Sequence, residues 1–176
     1  ISACLVGSEM CIRDSNDTAD AGIREAAWNM QEDLKEIAGL DLTVEEGNAP
    51  ASSNDIYIES QTDDTYGVGD EGYLLKTDDE GVHIYAPTYT GCLYGTITVE
   101  QILDQAEDNR TVPKGITRDY PAYEVRGIML DVARTPYRLS QLQDYAKIML
   151  WYKMNEYHLH INDNDCLLYT SDAADE

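Results

Sequence analysis

Two stretches hold side chains able to do chemistry on a bound ligand: "DVAR", Asp131 to Arg134, and "HLHINDND", His158 to Asp165. A carboxylate and a guanidinium can grip the hydroxyls of a sugar or orient a further catalytic group. Two histidines two residues apart suit a divalent metal as neutral imidazoles. Tyr157, Leu159 and Ile161 alternate with His158, His160 and Asn162, so the second stretch predicts a β-strand whose far end carries the Asp and Asn cluster.

The elements around these stretches decide whether they meet. "RGIMLDVAR" is a near-continuous apolar run, with Arg126 before it and Asp131 and Arg134 at its exit, as expected of a strand buried on both faces. Ser140 with Gln143 reads as a capping box opening a helix to about Lys153, with Leu142, Tyr145, Ile148, Met149 and Tyr152 on one face and Asn155 closing it. Strand, helix, strand in succession predicts two parallel strands joined by a right-handed crossover. Ligands meet such sheets and barrels at the carboxyl ends of the strands. Asp131, Arg134 and Asp163 are thereby expected at one rim; a buried structural ion pair is the competing reading of the same residues, on equal terms at this point.

Upstream, residues 22–38 form an amphipathic helix in which Ile23, Ala27, Met30, Leu34 and Ile37 face the core, with Gly39 as its C-terminal cap. Short strands are expected at 42–44 and 56–59. "GYLLKT" and "VHIYA" should form a hairpin around Asp78-Asp79-Glu80-Gly81, followed by a helix over about 91–105. This half predicts a compact α+β layer domain over residues 16–110. Residues 106–121 carry charges, Pro113, Gly115 and Pro121, and read as a connector, formally 111–121, before a second region at 122–165.

The two ends read differently. Met10 to Ser15 can be encoded as ATG TGT ATA AGA GAC AG, whose reverse complement, read in another frame, gives Cys166 to Thr170 and the first base of a codon for Ser171. An inverted repeat of this kind is what sequencing-adapter DNA leaves, so residues 1–15 and 166–176 are set aside from fold and function. Only Cys92 then remains, expected as a small buried hydrophobe, and no disulfide framework or cysteine metal cluster can be argued. The net charge of −22 becomes −18, from 34 − 5 = 29 acids against 12 − 1 = 11 bases. Such a surface repels phosphate backbones and anionic lipid, disfavouring nucleic acid and membrane as partners. No apolar run is long enough to cross a bilayer.

"DYPAYEVRGIMLDVAR" followed by "YKMNEYHLHINDND" resembles the opening of the catalytic barrel of glycoside hydrolase family 20, the β-N-acetylhexosaminidases and lacto-N-biosidases. "GYLLKTDDEGVHIYAPTYTGCLYGTITVEQIL" resembles the end of the small α/β domain that precedes that barrel. The resemblance implies an α/β fold: a small α+β domain, then the first β-α-β unit of a truncated TIM (β/α)8 barrel. It implies retaining, substrate-assisted hydrolysis of terminal N-acetylhexosamine from glycans, with no cofactor and no metal. By the motif match, Arg134 would contact the sugar hydroxyls and Asp163 would support the histidine that orients the catalytic acid. Asp131 and His160 would support the rim, and Arg126 would be structural. Thr135 stands where the family usually has His, and Asp163-Asn164 where it often has Asp-Asp. The Asp-Glu pair that performs the chemistry lies on a later barrel strand, so the 176-residue chain is expected to be inactive alone. Glycan chemistry suggests an extracellular or surface location in a bacterium.

Two other readings compete. One is a metal-dependent barrel hydrolase using His158 and His160, disfavoured because His158 lies early in its strand and no further ligands follow. The other is a non-catalytic carbohydrate-binding or interaction module, for which residues 16–105 would suffice, although Tyr57, Tyr73 and Tyr85 suit a core equally well. A calcium loop at "NDND" lacks the glycine turn and closing Glu.

Overall fold

The computed structural model describes residues 3–6, 10–14, 21–47, 55–61 and 63–161. It divides into two units, residues 1–121 and 122–176.

The first unit is built on a six-stranded sheet of order β3-β2-β4-β6-β5-β8. Its strands are β2 (Cys11–Asp14), β3 (Thr43–Glu46), β4 (Asp55–Ser60), β5 (Tyr73–Thr77), β6 (Gly81–Ala86) and β8 (Gly115–Asp119). β2 pairs in parallel with β3 and β4, and β4 with β6, while β5 runs antiparallel to both β6 and β8. A separate antiparallel pair joins β1 (Ala3–Leu5) to β7 (Thr111–Pro113). Two helices, α1 (Ala21–Ala38) and α2 (Tyr89–Gln105), complete the unit. Ile12, Ile56, Ile58, Val82 and Ile84 of the sheet are fully buried, as are Ile23, Ala27, Met30 and Leu34 of α1 and Cys92, Val99 and Leu103 of α2. Burial of the Ile, Val, Leu and Met side chains among these, each worth about 1.5–3 kcal/mol, holds the layers together.

The ends of the elements follow local chemistry. Gly39 adopts φ +64 after α1, where the amide of Leu40 returns to the Leu34 carbonyl and buries the Leu40 side chain. Thr88 caps α2, accepting from the Gly91 amide at 3.2 Å. Gly91 has a second reason to be glycine: a Cβ there would lie 2.2 Å from the Gly72 carbonyl oxygen, so α2 rests directly on backbone. The β5–β6 hairpin closes with Asp78 donating its amide to Gly81 O and accepting the Glu80 amide on Oδ1 at 2.9 Å.

Two expectations for this unit need correction. The stretch read as a connector contains β7 and β8, and β8 extends the sheet beyond β5. β8 is an exposed edge with no apolar alternation, which is why its charges and the flanking Pro113 read as loop. Setting residues 1–15 aside also leaves out β2, which lies inside the sheet with Ile12 fully buried. Tyr57 and Tyr73 are buried and Tyr85 half-buried, so they form no exposed aromatic row.

The second unit is β9 (Gly127–Asp131), α3 (Leu139–Trp151) and β10 (Glu156–His160), with β9 and β10 parallel. Its helix starts differently from expectation: Gln141 Oε1 accepts the Arg138 amide at 2.9 Å, and Ser140 with Gln143 is not the capping pair. Lys153 at φ +53 follows the helix, and Asn155 ties the return, donating to Glu124 O and accepting the Arg126 amide. β9 is not buried on both faces: Ile128 and Leu130 are half-buried, but Met129 is 62% exposed. Of the helix face, Met149 is buried while Ile148 and Tyr152 are exposed. Two strands and one helix supply only one covered face.

Candidate functional site

The register of the parallel pair builds the rim. Gly127 faces Glu156, Ile128 Tyr157, Met129 His158, Leu130 Leu159 and Asp131 His160. Alternation then separates the two faces: Ile128, Leu130, Tyr157 and Leu159 share one, and Met129, Asp131, His158 and His160 share the other. Tyr157 has a buried hydroxyl whose ionisation is pushed up by burial and by nearby Tyr145 and Tyr137, which marks the first face as the one under α3.

At the carboxyl end the chain turns sharply after Asp131. Asp131 Oδ1 accepts the amides of Ala133 and Arg134, each at 3.1 Å. The amides of Val132 and Ala133 both donate to the His160 carbonyl at 3.1 Å. Val132 and Ala133 are fully buried, so the turn is fixed by packing as well as by hydrogen bonds. Arg134 projects from it with its side chain 71% exposed and its Nε 3.5 Å from Asp131 Oδ2. The competing reading of a buried ion pair fails on that exposure. A surface pair of this length contributes roughly 0–1 kcal/mol.

Asp131 and His160 stand side by side at the strand ends, and Arg134 rises from the turn that Asp131 organises. Asp163 lies outside the described residues. His158 sits two pairs further back, exposed, opposite Met129. Arg126, at the other end of β9, donates Nε to Lys153 O at 2.8 Å and Nη1 to Tyr123 O at 2.7 Å, both backbone carbonyls. Among the described residues, His158 and His160 belong to no group of three candidate metal ligands.

Sequence reasoning passed over several polar residues of the first unit. Asp55 is fully buried, takes the Cys11 amide on Oδ1 and pairs through Oδ2 with Arg13 Nε at 2.7 Å. Tyr73 donates to Asp119 Oδ2 at 2.7 Å, linking β5 to β8. Glu100, 1% exposed within α2, has Oε2 without a hydrogen-bond partner, and burial, assisted by Asp33, pushes its carboxyl up to about 8. A concavity of about 620 Å³ at the end of α2 is lined by Gln105, Asp108 and Thr111 among others. Asp108 there is committed to the turn, accepting from Arg110 and Thr111. None of these carries a periodic or motif signal in the sequence.

The architecture defines a class: a small α/β domain feeding a parallel β-α-β unit whose strand ends present an Asp and an Arg. Residues 13–120 match the model of glycosyl hydrolase family 20, domain 2, and residues 123–173 match that of the family's catalytic domain. The chain belongs to glycosyl hydrolase family 20. A β-hexosaminidase of Porphyromonas gingivalis is 32% identical over 149 residues, covering 81% of this chain and 19% of its own length. A β-N-acetylhexosaminidase of Cellulomonas fimi is 29% identical over 126 residues, 71% of this chain and 24% of its own. The solved family 20 β-N-acetylhexosaminidase of Streptomyces coelicolor superposes with a TM-score of 0.77 at 27% identity, over 92% of this chain and 32% of that one. The chain thus spans about a fifth of the P. gingivalis relative and a third of the S. coelicolor chain. Its second unit is the first β-α-β unit of the family's catalytic barrel.

Proposed function

We propose that this chain is the front part of a β-N-acetylhexosaminidase that removes terminal N-acetylhexosamine from glycans by retaining, substrate-assisted hydrolysis. The observation that carries the reading is the parallel register of β9 with β10, which sets Asp131 beside His160 and raises an exposed Arg134 at the carboxyl rim. In a substrate-assisted reaction the acetamido oxygen of the sugar attacks the anomeric carbon while a carboxylic acid protonates the leaving oxygen. Arg134 would grip hydroxyls of the terminal ring through its forked donors, holding the anomeric carbon in place for that attack. Asp131 would act as a positioning residue, because it caps the turn from which Arg134 projects. Asp163, three residues beyond His160, would steady the histidine that orients the acid. The attacking geometry also needs an Asp-Glu pair from a later barrel strand, so the 176 residues alone should be inert.

The strong acidity argues for neutral glycans and against nucleic acid or anionic membrane. Among the described residues no helix is long and apolar enough to cross a membrane. Glycan substrates favour a place outside the cell or on a bacterial surface. The test is to join the downstream coding sequence and assay the resulting protein with a chromogenic N-acetyl-β-glucosaminide. Release of sugar with retained configuration, absent from the 176-residue chain alone, is the expected result. Turnover by the short chain, or none by the long one, would overturn the reading.

A further inference from the structure

We propose that Asp78, Glu80 and His83, at the β5–β6 hairpin, form a zinc-binding site that anchors the turn to strand β6. One ligand atom from each of the three residues lies within 4.8 Å of the other two. His83 is 4% exposed, its Nε2 has no hydrogen-bond partner, and the nearest carboxylate oxygen, Asp78 Oδ1, stands 3.7 Å away. A buried ring nitrogen left unmatched beside two carboxylates is costly unless something fills the gap.

The ring's surroundings select the nitrogen. His83 is held between Tyr57, with ring centroids 5.6 Å apart, and Tyr85, stacked at 6.0 Å and 5°. Nδ1 is 3.4 Å from the Tyr85 hydroxyl. A proton on Nδ1 shared with that oxygen leaves the Nε2 lone pair facing the turn, the usual arrangement of a metal-ligating histidine. Burial lowers the His83 pKa, which keeps the ring in the neutral, ligating form.

Asp78 divides its two oxygens. Oδ2 lies 2.5 Å from Lys76 Nζ, and Oδ1 faces both His83 and the Glu80 amide. The ammonium weakens the site by repulsion but also holds Asp78 ionised, and its carboxyl is driven down chiefly by that contact. Asp79 is occupied by Lys114 and is not part of the set. Zinc bonds of about 2.0–2.2 Å at tetrahedral angles place ligand atoms about 3.4 Å apart. The 3.7 Å gap therefore needs to close by only a few tenths of an ångström. Glu80 is exposed, so it can swing in, and water completes the fourth position. One imidazole with two carboxylates suits zinc, whereas magnesium prefers an all-oxygen shell.

The experiment titrates the intact chain with zinc chloride, following the imidazole nitrogens of its three histidines by NMR and the heat of binding by calorimetry. The expected result is one equivalent bound, a shift of the His83 Nε2 signal, and a rise in the unfolding midpoint. Glu80→Gln, at an exposed position that leaves the core intact, should weaken binding about tenfold or more. His83→Gln should abolish it. The double variant His158→Gln/His160→Gln should bind as the parent does. An unmoved His83 signal at saturating zinc, undiminished binding by Glu80→Gln, or displacement of zinc by equimolar magnesium would overturn the proposal.

Discussion

Replacing Glu100 by Gln should make the first unit more stable at alkaline pH and remove most of the pH dependence between pH 5 and pH 8. The carboxyl is buried within α2, with one oxygen lacking a partner and Asp33 nearby on α1. Its folded value is pushed up to about 8 from an ordinary 4.5. The folded state therefore keeps its proton where the unfolded chain has lost it, and stability falls as pH rises from 4.5 towards 8. The span is 8 − 4.5 = 3.5 pH units, which at about 1.36 kcal/mol per unit amounts to roughly 5 kcal/mol at full titration. On the order of 3 kcal/mol of this lies between pH 5 and pH 8. Glutamine has nearly the same shape and no charge to desolvate. Subtracting its curve from the parent's cancels every other titrating group. Urea unfolding followed by Trp28 fluorescence in a Trp151→Phe background reads the first unit, because Trp28 lies on α1. Parallel pH profiles for the parent and Glu100→Gln would refute the reasoning, since they would mean that Glu100 is ionised and solvated in the folded state.

Arg134→Ala should change stability by less than about 1 kcal/mol, because its side chain is mostly exposed and its ion pair long, while abolishing sugar capture in the extended enzyme. Thermal unfolding of the chain and KM of the extended enzyme check the two halves. Gly91→Ala should destabilise by about 1–3 kcal/mol or more, because the new methyl meets the Gly72 carbonyl, and circular dichroism melting reads the loss. Arg126→Met should loosen the N-terminal end of the second unit by about 1–3 kcal/mol, since the carbonyls of Tyr123 and Lys153 lose a charged donor; faster amide exchange at 126–128 and 153–156 would show it. Met129→Lys with Ile148→Glu should reduce hydrophobic-dye binding by the chain, as both side chains are more than half exposed. An unchanged dye signal would mean that these two side chains are not what the dye sees.

What the sequence made legible follows from the kind of signal each element carries. α1 shows through its periodic apolar face and Gly39, the hairpin through its acidic turn and Gly81, and the parallel pair through two apolar runs separated by a helix. Such features are local or have a fixed period. β8 has neither, because an edge strand with five solvent-touched residues needs no apolar alternation to pair with β5. The burial expected for β9 presumed neighbours on both faces, and only one face is covered among the described residues. At the site, residue type and strand order were enough to bring Asp131 and Arg134 to one rim, with His160 beside them, while Asp163, expected at the same rim, lies outside the described residues. The Asp78, Glu80 and His83 cluster was invisible because it depends on a turn folding a side chain of β6 back towards carboxylates that belong to the loop.

The turn after β9 is secured to its neighbour by the main-chain oxygen of His160, which receives two amides at once, and not by the imidazole. A fastening made of backbone atoms is indifferent to which side chain occupies that position. The histidine could therefore be exchanged for another residue while the base of Arg134 stays where it is.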